Sequence, residues 1–504
     1  MQKQISDITK LAGLSVAGLL FSSQIAAKEQ EQQESIKDKS PNILFILTDD
    51  QGWADLSQPM DPEHPTGFCD YFETPYMNQI FQQGMRFTSG YAPAPISTPT
   101  RRSIQYGMTP ARQHGTEFLG SFDPEGKWSI AEALKKANPD YRCAHFSKWG
   151  AVITGTWSDK ESQMPGHPKN NGYDAHDGLS GNKTGTFYGR DDEKREFNGI
   201  CLPDPDPKRT PSVTRRSVAF MKEQVRKGNP FYLQVSYYAI HTAFQAKQET
   251  MDRYAGKELP ERMVPPGIAP MLEELDAGIG NLIRAVKKLN IQDNTYIFFM
   301  SDNGGEPKNF WEKNNQLKTS FLERSRIVDE QPGYDSEPVD RNHPLNRYKQ
   351  WLYEGGIRVP FAVAGPGIEA GSICRIPVSG WDLLPTFYDL AGGTEPLPQQ
   401  VDGGSMADLL QNADKGTIER PVEGLFFHRP DPPNNTPGHS AYRLGRYKLI
   451  LWWTEEGNIK DRELYNLHKD AGEQHDLSEK MSAKADEMQQ KLIEYLREVD
   501  NCPL

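Results

Sequence analysis

Residues 42–50 read NILFILTDD, a short and mostly apolar run that ends in two adjacent acids. A continuous run of this length, with no polar face, is typical of a strand buried on both sides in a parallel sheet. Three later stretches repeat the pattern, namely YRCAHF (141–146), PFYLQVSYY (230–238) and TYIFFMS (295–301). We therefore predict a buried sheet whose strands lead into functional loops at their carboxyl ends.

Helical patterns separate these runs, so the chain predicts an α/β fold with a mostly parallel central sheet flanked by helices. One helix face is formed by Leu275, Ile279, Leu282, Ile283, Val286 and Leu289, which recur every three or four positions. After residue 416 the pattern changes to the short apolar stretches GLFFHR, SAYRLGRYKLILWW and RELYNL. They predict a smaller C-terminal subdomain with an antiparallel sheet, followed by a terminal helix that we expect Ser478 to cap.

The 504 residues are enough for a large domain and a smaller one. At the N-terminus, Lys3 and Lys10 precede the apolar run LAGLSVAGLLF, and small residues suited to cleavage follow near Ala27. The run is too short to span a membrane comfortably, so we expect export to the periplasm or outside the cell, with no membrane span in the mature chain. The predicted boundaries are a signal peptide (1–27), a polar linker (28–40), a large domain (41–415) and a C-terminal α+β subdomain (416–504).

Composition excludes some classes of function. A net charge of -12 argues against a nucleic-acid-binding protein, but a few local arginines and lysines could still bind an anionic substrate. The five cysteines are widely spaced and odd in number, which fits neither a zinc site nor a disulfide framework. A single disulfide after export remains open.

Two of the predicted strands are followed by a pair of residues with oxygen ligands. Asp49 and Asp50 follow the first strand, and Asp302 and Asn303 follow the last one. Adjacent carboxylates at a buried strand end repel each other unless a cation compensates them. Four oxygen donors without cysteine or clustered histidine suit Ca2+ or Mg2+. Either pair alone could simply cap a strand or helix, but two pairs at one sheet edge favour a metal site.

The stretch PAPISTPTRRSIQYG (93–107) predicts the start of a helix, with Pro99 in its first turn. An ordinary N-cap would explain Ser97 on its own. Together with the metal pairs, however, STPTR (97–101) resembles the motif of the formylglycine-dependent sulfatases of the alkaline phosphatase superfamily. That motif is Cys or Ser, any residue, Pro, any residue, Arg. Gly107 matches a later position of the pattern, and Tyr106 stands where threonine is usual.

The resemblance covers most of the chain after the signal peptide. It rests on NILFILTDDQGWAD, SYYAIHTAF, SDNGG and KQWLYEGGIRVPFAVAGPG, and then on WDLLPTFYDLAGG, VDGGS, GRYKLI and ELYNL in the family's order. It implies a large alkaline-phosphatase-like domain at 41–415 carrying the catalytic site, and the activity of a sulfuric ester hydrolase.

The resemblance also implies the chemistry. Ser97 is expected to be oxidised to formylglycine, whose hydrate attacks sulfur and later expels sulfate as the aldehyde re-forms. The residue at position 97 is expected to bind a divalent metal together with Asp49, Asp50, Asp302 and Asn303, and the family favours Ca2+ over Mg2+. Serine in place of cysteine implies maturation by an anaerobic sulfatase-maturating enzyme, and so a bacterial origin.

Four further residues match catalytic positions of the family. Arg101 matches the arginine that orients formylglycine, Lys148 and Lys349 match the lysines that neutralise sulfate oxygens, and His241 matches the histidine that protonates the leaving alcohol. Alternatively, the lysines are solvated surface groups and His241 is a core histidine.

One departure from the family lies in SKWG (147–150), where the usual sequence is GKWH and the histidine is therefore absent at position 150. His114 and His145 are candidate substitutes, chosen only because they lie near the motifs.

We expect the substrate to be a sulfated carbohydrate, because the enzyme is exported, has long loops and resembles a family common in polysaccharide breakdown. Candidate substrate contacts are His114, Trp311, Arg347, His428 and Arg429. Two alternatives stay open. A phosphatase or phosphodiesterase of the same superfamily would need two zinc ions and more ligands. An inactive sulfated-glycan-binding protein would result if Ser97 is never oxidised.

Overall fold

The computed structural model describes residues 40–504 except for 119–121, 152–163, 182–201, 242–243, 256, 258–266, 307–339 and 433–435. Trp311 and Cys201 lie outside the described residues. Among the described residues, Cys143, Cys374 and Cys502 are free thiols.

The strands of the described residues are β1 (Asn42–Thr48), β2 (Met85–Phe87), β3 (Gly90–Tyr91), β4 (Arg142–Ser147), β5 (Ala175–His176), β6 (Leu202–Pro203), β7 (Phe231–Ser236), β8 (Gln245–Ala246), β9 (Thr295–Ser301), β10 (Phe361–Ala364), β11 (Ser372–Cys374), β12 (Val378–Ser379), β13 (Leu425–Arg429), β14 (His439–Leu444), β15 (Tyr447–Trp453) and β16 (Ile459–Asn466). The α-helices are α1 (Pro75–Gln83), α2 (Ser97–Tyr106), α3 (Ile130–Ala137), α4 (Thr210–Lys227), α5 (Gln248–Ala255), α6 (Ile268–Lys288), α7 (Glu354–Ile357), α8 (Leu383–Leu390), α9 (Ala407–Asn412) and α10 (Ser482–Glu498).

A central sheet of eight strands organises the large domain, in the order β11-β2-β10-β9-β1-β7-β4-β5. Within this sheet β10 runs antiparallel to its neighbours β2 and β9, and the other pairs are parallel. The predicted α/β fold with a mostly parallel sheet is confirmed. The register pairs Thr48 with Ser301 and Leu47 with Ser236, so β1, β9 and β7 end at the same level. This alignment is what brings their C-terminal loops together.

Helices cover both faces of the sheet because the central strands are apolar on both. All seven residues of β1 are buried. Leu44 and Ile46 pack in the core shared with α1, α4 and α6, whereas Ile43, Phe45 and Leu47 pack in the core shared with α3, α8 and α9. The predicted apolar helix face lies on α6 and is buried, except that Leu289 falls just beyond the helix and is only partly buried.

The C-terminal subdomain has the predicted architecture, since β13 to β16 form an antiparallel sheet in chain order and α10 packs on it. The expected cap was wrong. The helix begins at Ser482 with Met481 as its cap residue, and the Ser478 hydroxyl instead donates to Asp476 Oδ2 at 2.8 Å. Among the described residues, no helix combines the length and apolarity needed to cross a membrane.

Candidate active site

Both predicted ligand pairs lie at the carboxyl edge of the sheet, after β1 and β9. Asp49, Asp50, Asp302 and Asn303 are all fully buried. Carboxylate oxygens of the three aspartates lie within 4.8 Å of one another. The Asp50 backbone N–H donates to Asp302 Oδ1 at 3.1 Å, and Asn303 Nδ2 donates to Asp50 Oδ1 at 2.7 Å. We call these four residues the carboxylate cluster.

The electrostatics of the cluster favour a cation. Burial raises the pKa of Asp302, and the neighbouring charge of Asp49 raises it further, against the opposing effect of Arg101. Burial also acts to raise the pKa of Asp50, but Lys349, His241 and Lys148 outweigh it and hold that pKa below its ordinary value. Four buried oxygen donors without a cysteine or histidine among them are the donor chemistry that fits a hard divalent cation.

The Ser97 side chain faces the carboxylate cluster. Ser97 is the first residue of α2 and is 4% exposed. Its hydroxyl lies 3.2 Å from Asp49 Oδ1, 3.4 Å from Asn303 Oδ1 and 3.3 Å from Lys148 Nζ. The cap position of α2 is Ile96, without a side-chain cap bond, so Ser97 is not the N-cap. The hydroxyl is thus available for chemistry rather than used to begin the helix.

Arg101 lies one helical turn after Ser97 and contacts the residues that follow β9 and β4. Its Nε and Nη2 lie 2.9 and 2.7 Å from Asp302 Oδ2, and its Nη1 donates to the Lys148 carbonyl at 2.7 Å. The side chain is 1% exposed. A buried guanidinium with these partners fixes the spacing between Ser97, β4 and β9.

The two predicted lysines are buried and paired with the acids. Lys148 Nζ lies 2.6 Å from Asp49 Oδ2. Lys349 Nζ lies 2.7 Å from Asp50 Oδ2 and 2.5 Å from Glu306 Oε1. Burial lowers the pKa of Lys349, but the two carboxylates outweigh it and raise the pKa above its ordinary value. The alternative of solvated surface lysines does not describe either side chain.

Glu306 was missed by the sequence reasoning, although it directly follows the SDNGG motif. It is 8% exposed, and with Asp50 and His241 it forms a second group of ligand atoms within 4.8 Å of one another. The ammonium of Lys349 already bonds to both acids of this group. The two carboxylates of this second group are therefore compensated by one ammonium.

Glycines let the Asp302 loop approach the Lys349 loop closely. The Gly304 N–H donates to the Gly356 carbonyl at 3.0 Å, and the Lys349 N–H donates to the Gly305 carbonyl at 3.1 Å. A Cβ at Gly304 would lie 1.8 Å from the Gly355 carbonyl oxygen, which no side chain could tolerate. The glycines of SDNGG and EGG therefore allow the Asp302 loop to pack directly on the Lys349 loop.

His241 borders the cluster and reaches solvent. Its Nε2 lies 3.7 Å from Asp50 Oδ2, and its side chain is 15% exposed. Burial lowers the pKa of His241 to about 4, with Asp50 opposing the shift and Lys349 and Lys148 adding to it. A pKa this low describes a neutral imidazole at pH 7.

The backbone and surroundings of Gly150 also differ from what a histidine at this position would need. Gly150 has φ +61, and a Cβ there would lie 2.8 Å from Arg101 Cδ. His145 is 1% exposed, with Nε2 3.0 Å from Ser236 Oγ and its ring against Trp149, and burial lowers its pKa to about 3. His114 is exposed and has φ 48. The structure brings neither ring to the Ser97 hydroxyl, and their substitution for the missing histidine stays a prediction.

The candidate substrate contacts have different environments. Arg347 is exposed, and its guanidinium lies 5.0 Å from the Trp351 ring centroid. Arg429 is 1% exposed, with Nε 2.6 Å from Glu117 Oε1 and Nη1 2.6 Å from the Gln350 carbonyl next to Lys349. His428 is 3% exposed, with Nδ1 2.6 Å from Ser440 Oγ. Among these three, Arg347 is the side chain open to a ligand.

Comparison with known proteins gives two matching family models. The model described as Sulfatase matches residues 41–393, and the model described as N-sulphoglucosamine sulphohydrolase, C-terminal, matches residues 346–501.

Individual relatives extend the match. A sulfatase of Formosa agariphila is 25% identical, covering 93% of this chain and 89% of its own. The N-acetylgalactosamine-6-sulfatase of Mus musculus is 27% identical, covering 82% of this chain and 72% of its own. The crystal structure of Ps i-CgsB in complex with k-i-k-neocarrahexaose is similar with a TM-score of 0.69 at 26% identity, covering 91% of this chain and 93% of that one.

Proposed function

As the chain belongs to the sulfatase family and is a sulfuric ester hydrolase of the alkaline phosphatase superfamily, we propose that it removes sulfate from a sulfated glycan. The reaction uses formylglycine formed from Ser97 and one divalent metal, Ca2+. The protein acts in the periplasm or outside the cell, after an anaerobic sulfatase-maturating enzyme has oxidised Ser97.

The observation that carries this proposal is the position of the Ser97 hydroxyl, within 3.4 Å of Asp49, Asn303 and Lys148. An unmodified serine that accepted a sulfuryl group would hold it as a stable ester. Hydrated formylglycine instead supplies one hydroxyl to attack sulfur and a second through which sulfate is expelled as the aldehyde re-forms.

The metal belongs in the carboxylate cluster, where Asp49, Asp50, Asp302 and Asn303 offer oxygen ligands beside position 97. When bound, a divalent cation supplies Lewis-acid polarisation of the sulfate group and stabilises charge that develops on its oxygens.

The remaining steps fall to side chains of this chain. Lys148 and Lys349 bind sulfate oxygens by exchanging their contacts with Asp49 and Asp50 for contacts with the substrate. His241 donates a proton to the departing alcohol oxygen. An arriving sulfate opposes the effect of the two lysines on the pKa of His241, so binding itself favours the protonated imidazole. Arg101 holds the helix start and Asp302 in register.

Support for a carbohydrate substrate comes from the relatives, whose names specify an N-acetylgalactosamine-6-sulfatase and a complex with k-i-k-neocarrahexaose. Exposed Arg347 beside Trp351 offers the pairing of a cation and an aromatic ring that suits an anionic sugar.

The test is mass spectrometry of the tryptic peptide containing Ser97, from protein made together with an anaerobic maturase, combined with sulfate release from defined sulfated oligosaccharides. We expect the loss of two hydrogens at Ser97 and release of sulfate, with Ser97→Ala as the inactive control. Unmodified serine under conditions that mature a control sulfatase would favour a glycan-binding protein. Modified protein that hydrolyses phosphate esters but no sulfate ester would favour the phosphatase alternative.

A further inference from the structure

A third buried lysine lies at the active-site edge of the sheet, outside every motif that the sequence analysis singled out. Lys208 is 1% exposed and belongs to a single 3-10 turn, Pro207–Arg209, immediately before α4. Burying a lysine in a protein interior is costly unless nearby charges compensate it. The surroundings of Lys208 therefore indicate what the burial serves.

The backbone of this turn has an uncommon conformation. Lys208 has φ 49 and ψ 24, and Arg209 has φ 56 and ψ 13, so two successive residues are left-handed. Residues other than glycine adopt this conformation uncommonly, and two in a row imply that the surroundings enforce it. The Lys208 N–H donates to Gln245 Oε1 at 2.8 Å, which ties the turn to the segment four residues beyond His241.

The start of α4 is anchored over the carboxyl ends of β7 and β4. Thr214 Oγ1 lies 2.7 Å from the hydroxyl of Tyr237, the residue that follows β7. Arg216 Nη2 lies 2.6 Å from Asp177 Oδ2, which also accepts from the backbone N–H of Ser147 at the end of β4. Lys148 follows Ser147 directly. The turn before α4 therefore lies at the same edge of the sheet as Ser97 and its lysines.

The charges of the site act on Lys208. Burial lowers the pKa of Lys208 to about 7, and the charges of Asp49, Asp50 and Glu306 raise it while Lys148 lowers it. These four are the groups that surround the Ser97 hydroxyl and Lys349. An anion that enters among them would stabilise the charged form of Lys208.

We propose that Lys208 is a further sulfate-binding residue, which supplies a cationic contact that position 150 cannot. This inference deepens the proposed function and rests on it. Gly150 carries no side chain, and a Cβ there would collide with Arg101. Lys208, in the turn before α4, gives the site a positively charged group without displacing Arg101.

The experiment measures binding of inorganic sulfate to the calcium-loaded protein by calorimetry, with chloride keeping the ionic strength constant. Lys208→Met removes the charge at nearly constant volume, and Lys208→Arg keeps it. Lys247→Met is the matched control, because Lys247 is close in sequence to Gln245 but 38% exposed and paired with Glu274. Since a hydrogen bond to a charged group contributes roughly 1.5–3 kcal/mol, we expect Lys208→Met to weaken sulfate binding at least about tenfold.

Lys208→Arg should bind sulfate within about threefold of the wild-type affinity, and Lys247→Met within about twofold. Both changes are smaller than the tenfold loss expected when a charged contact is removed. Wild-type affinity in Lys208→Met would overturn the inference while leaving the proposed function intact. A wild-type protein that binds no sulfate and releases none from glycans would remove the proposed function, and this inference with it. Should Lys208→Met fail to fold, Lys208→Gln, which is uncharged but polar, carries the same test.

Discussion

Replacing Lys448 by methionine should destabilise the protein strongly, because Lys448 is the cation of a buried network between the two parts of the fold. Its Nζ lies 3.0 Å from Glu354 Oε1 and 2.9 Å from Glu473 Oε1, and all three side chains are fully buried. The Glu354 backbone N–H donates to Glu473 Oε2 at 2.7 Å, and the Tyr91 hydroxyl donates to Glu354 Oε2 at 2.7 Å. Glu354 begins α7, five residues after Lys349.

The expected loss follows from what the substitution leaves behind. Removing one partner of a buried ion pair costs about 3–5 kcal/mol, because the other charge stays buried without compensation. Burial raises the pKa of Glu473 and Glu354 raises it further, while Lys448 lowers it. Without Lys448 the Glu473 pKa rises more. A carboxyl whose folded pKa exceeds its unfolded value contributes stability at low pH and loses it as pH rises, so Lys448→Met should be less damaging at pH 6 than at pH 8.5.

The assay is urea unfolding followed by circular dichroism and by tryptophan fluorescence, at both pH values. Glu473→Gln keeps the bond from the Glu354 N–H, so the double substitution of Lys448 and Glu473 should cost less than the sum of the single ones, by about 1–3 kcal/mol. Lys460→Met, at an exposed position of β16, is the control for loss of a lysine. A loss below about 1 kcal/mol at pH 8.5, or additive single effects, would refute the reasoning.

Three further predictions concern the site and the sheet below it. Chelation of divalent metal should lower the melting temperature, and adding Ca2+ at about 100 times its Kd should raise the free energy of unfolding by about 2.7 kcal/mol. Asp302→Asn should abolish this stabilisation by Ca2+. Stabilisation that survives the substitution would place the metal elsewhere. Gly304→Ala should reduce calcium affinity and activity by an order of magnitude or more, because its Cβ would overlap the Gly355 carbonyl oxygen 1.8 Å away and displace Asp302; unchanged calcium titration would contradict it. Burial lowers the pKa of His428 to about 3 from an ordinary 6.5, so the unfolded chain binds a proton that the folded chain does not, and stability falls as pH drops from 6.5 towards 3. His428→Asn should therefore reduce the slope of unfolding free energy against pH by about 1.4 kcal/mol per unit between those limits; an unchanged slope would mean that His428 is not neutral in the fold.

The sequence predicted the long central strands well because burial on both faces leaves a continuous apolar run, and NILFILT coincides with β1. It did not predict β3 or β5, which are two residues long and exist only because neighbouring strands pair with them. The prediction that Ser478 caps α10 was wrong for a similar reason, because contacts distant in sequence decide where the helix begins. Ser478 has the right chemistry for a cap, but Asp476 also bonds to the Leu464 N–H and holds Ser478 in a turn before the helix starts.

The site could be predicted where function resides in a local motif, and not where it depends on packing. The four cluster residues, Ser97 and Arg101 lie at strand ends or within one helical turn, so their spacing is recognisable from the chain. Glu306 had a signal, since it adjoins SDNGG, but nothing local indicates that its carboxylate pairs with Lys349. Lys208 lies in PDPDPKRTPS, which reads as a solvated turn. Its burial depends on how α4 docks over β7 and β4, which no local pattern encodes.

The lysines and the carboxylate cluster compensate each other's buried charges before any ligand binds. Lys148 pairs with Asp49 and Lys349 with Asp50, so each ammonium bonds to a carboxylate of the proposed metal site. A divalent cation that takes the carboxylates releases the lysines, and a sulfate group that takes the lysines removes the competitors of the metal. If both ligands bind as proposed, we expect binding of either to favour binding of the other, with the same coupling free energy in both directions. Buried pairs of this kind keep a highly charged site folded while leaving its charges exchangeable, which an apolar core of the same volume could not do.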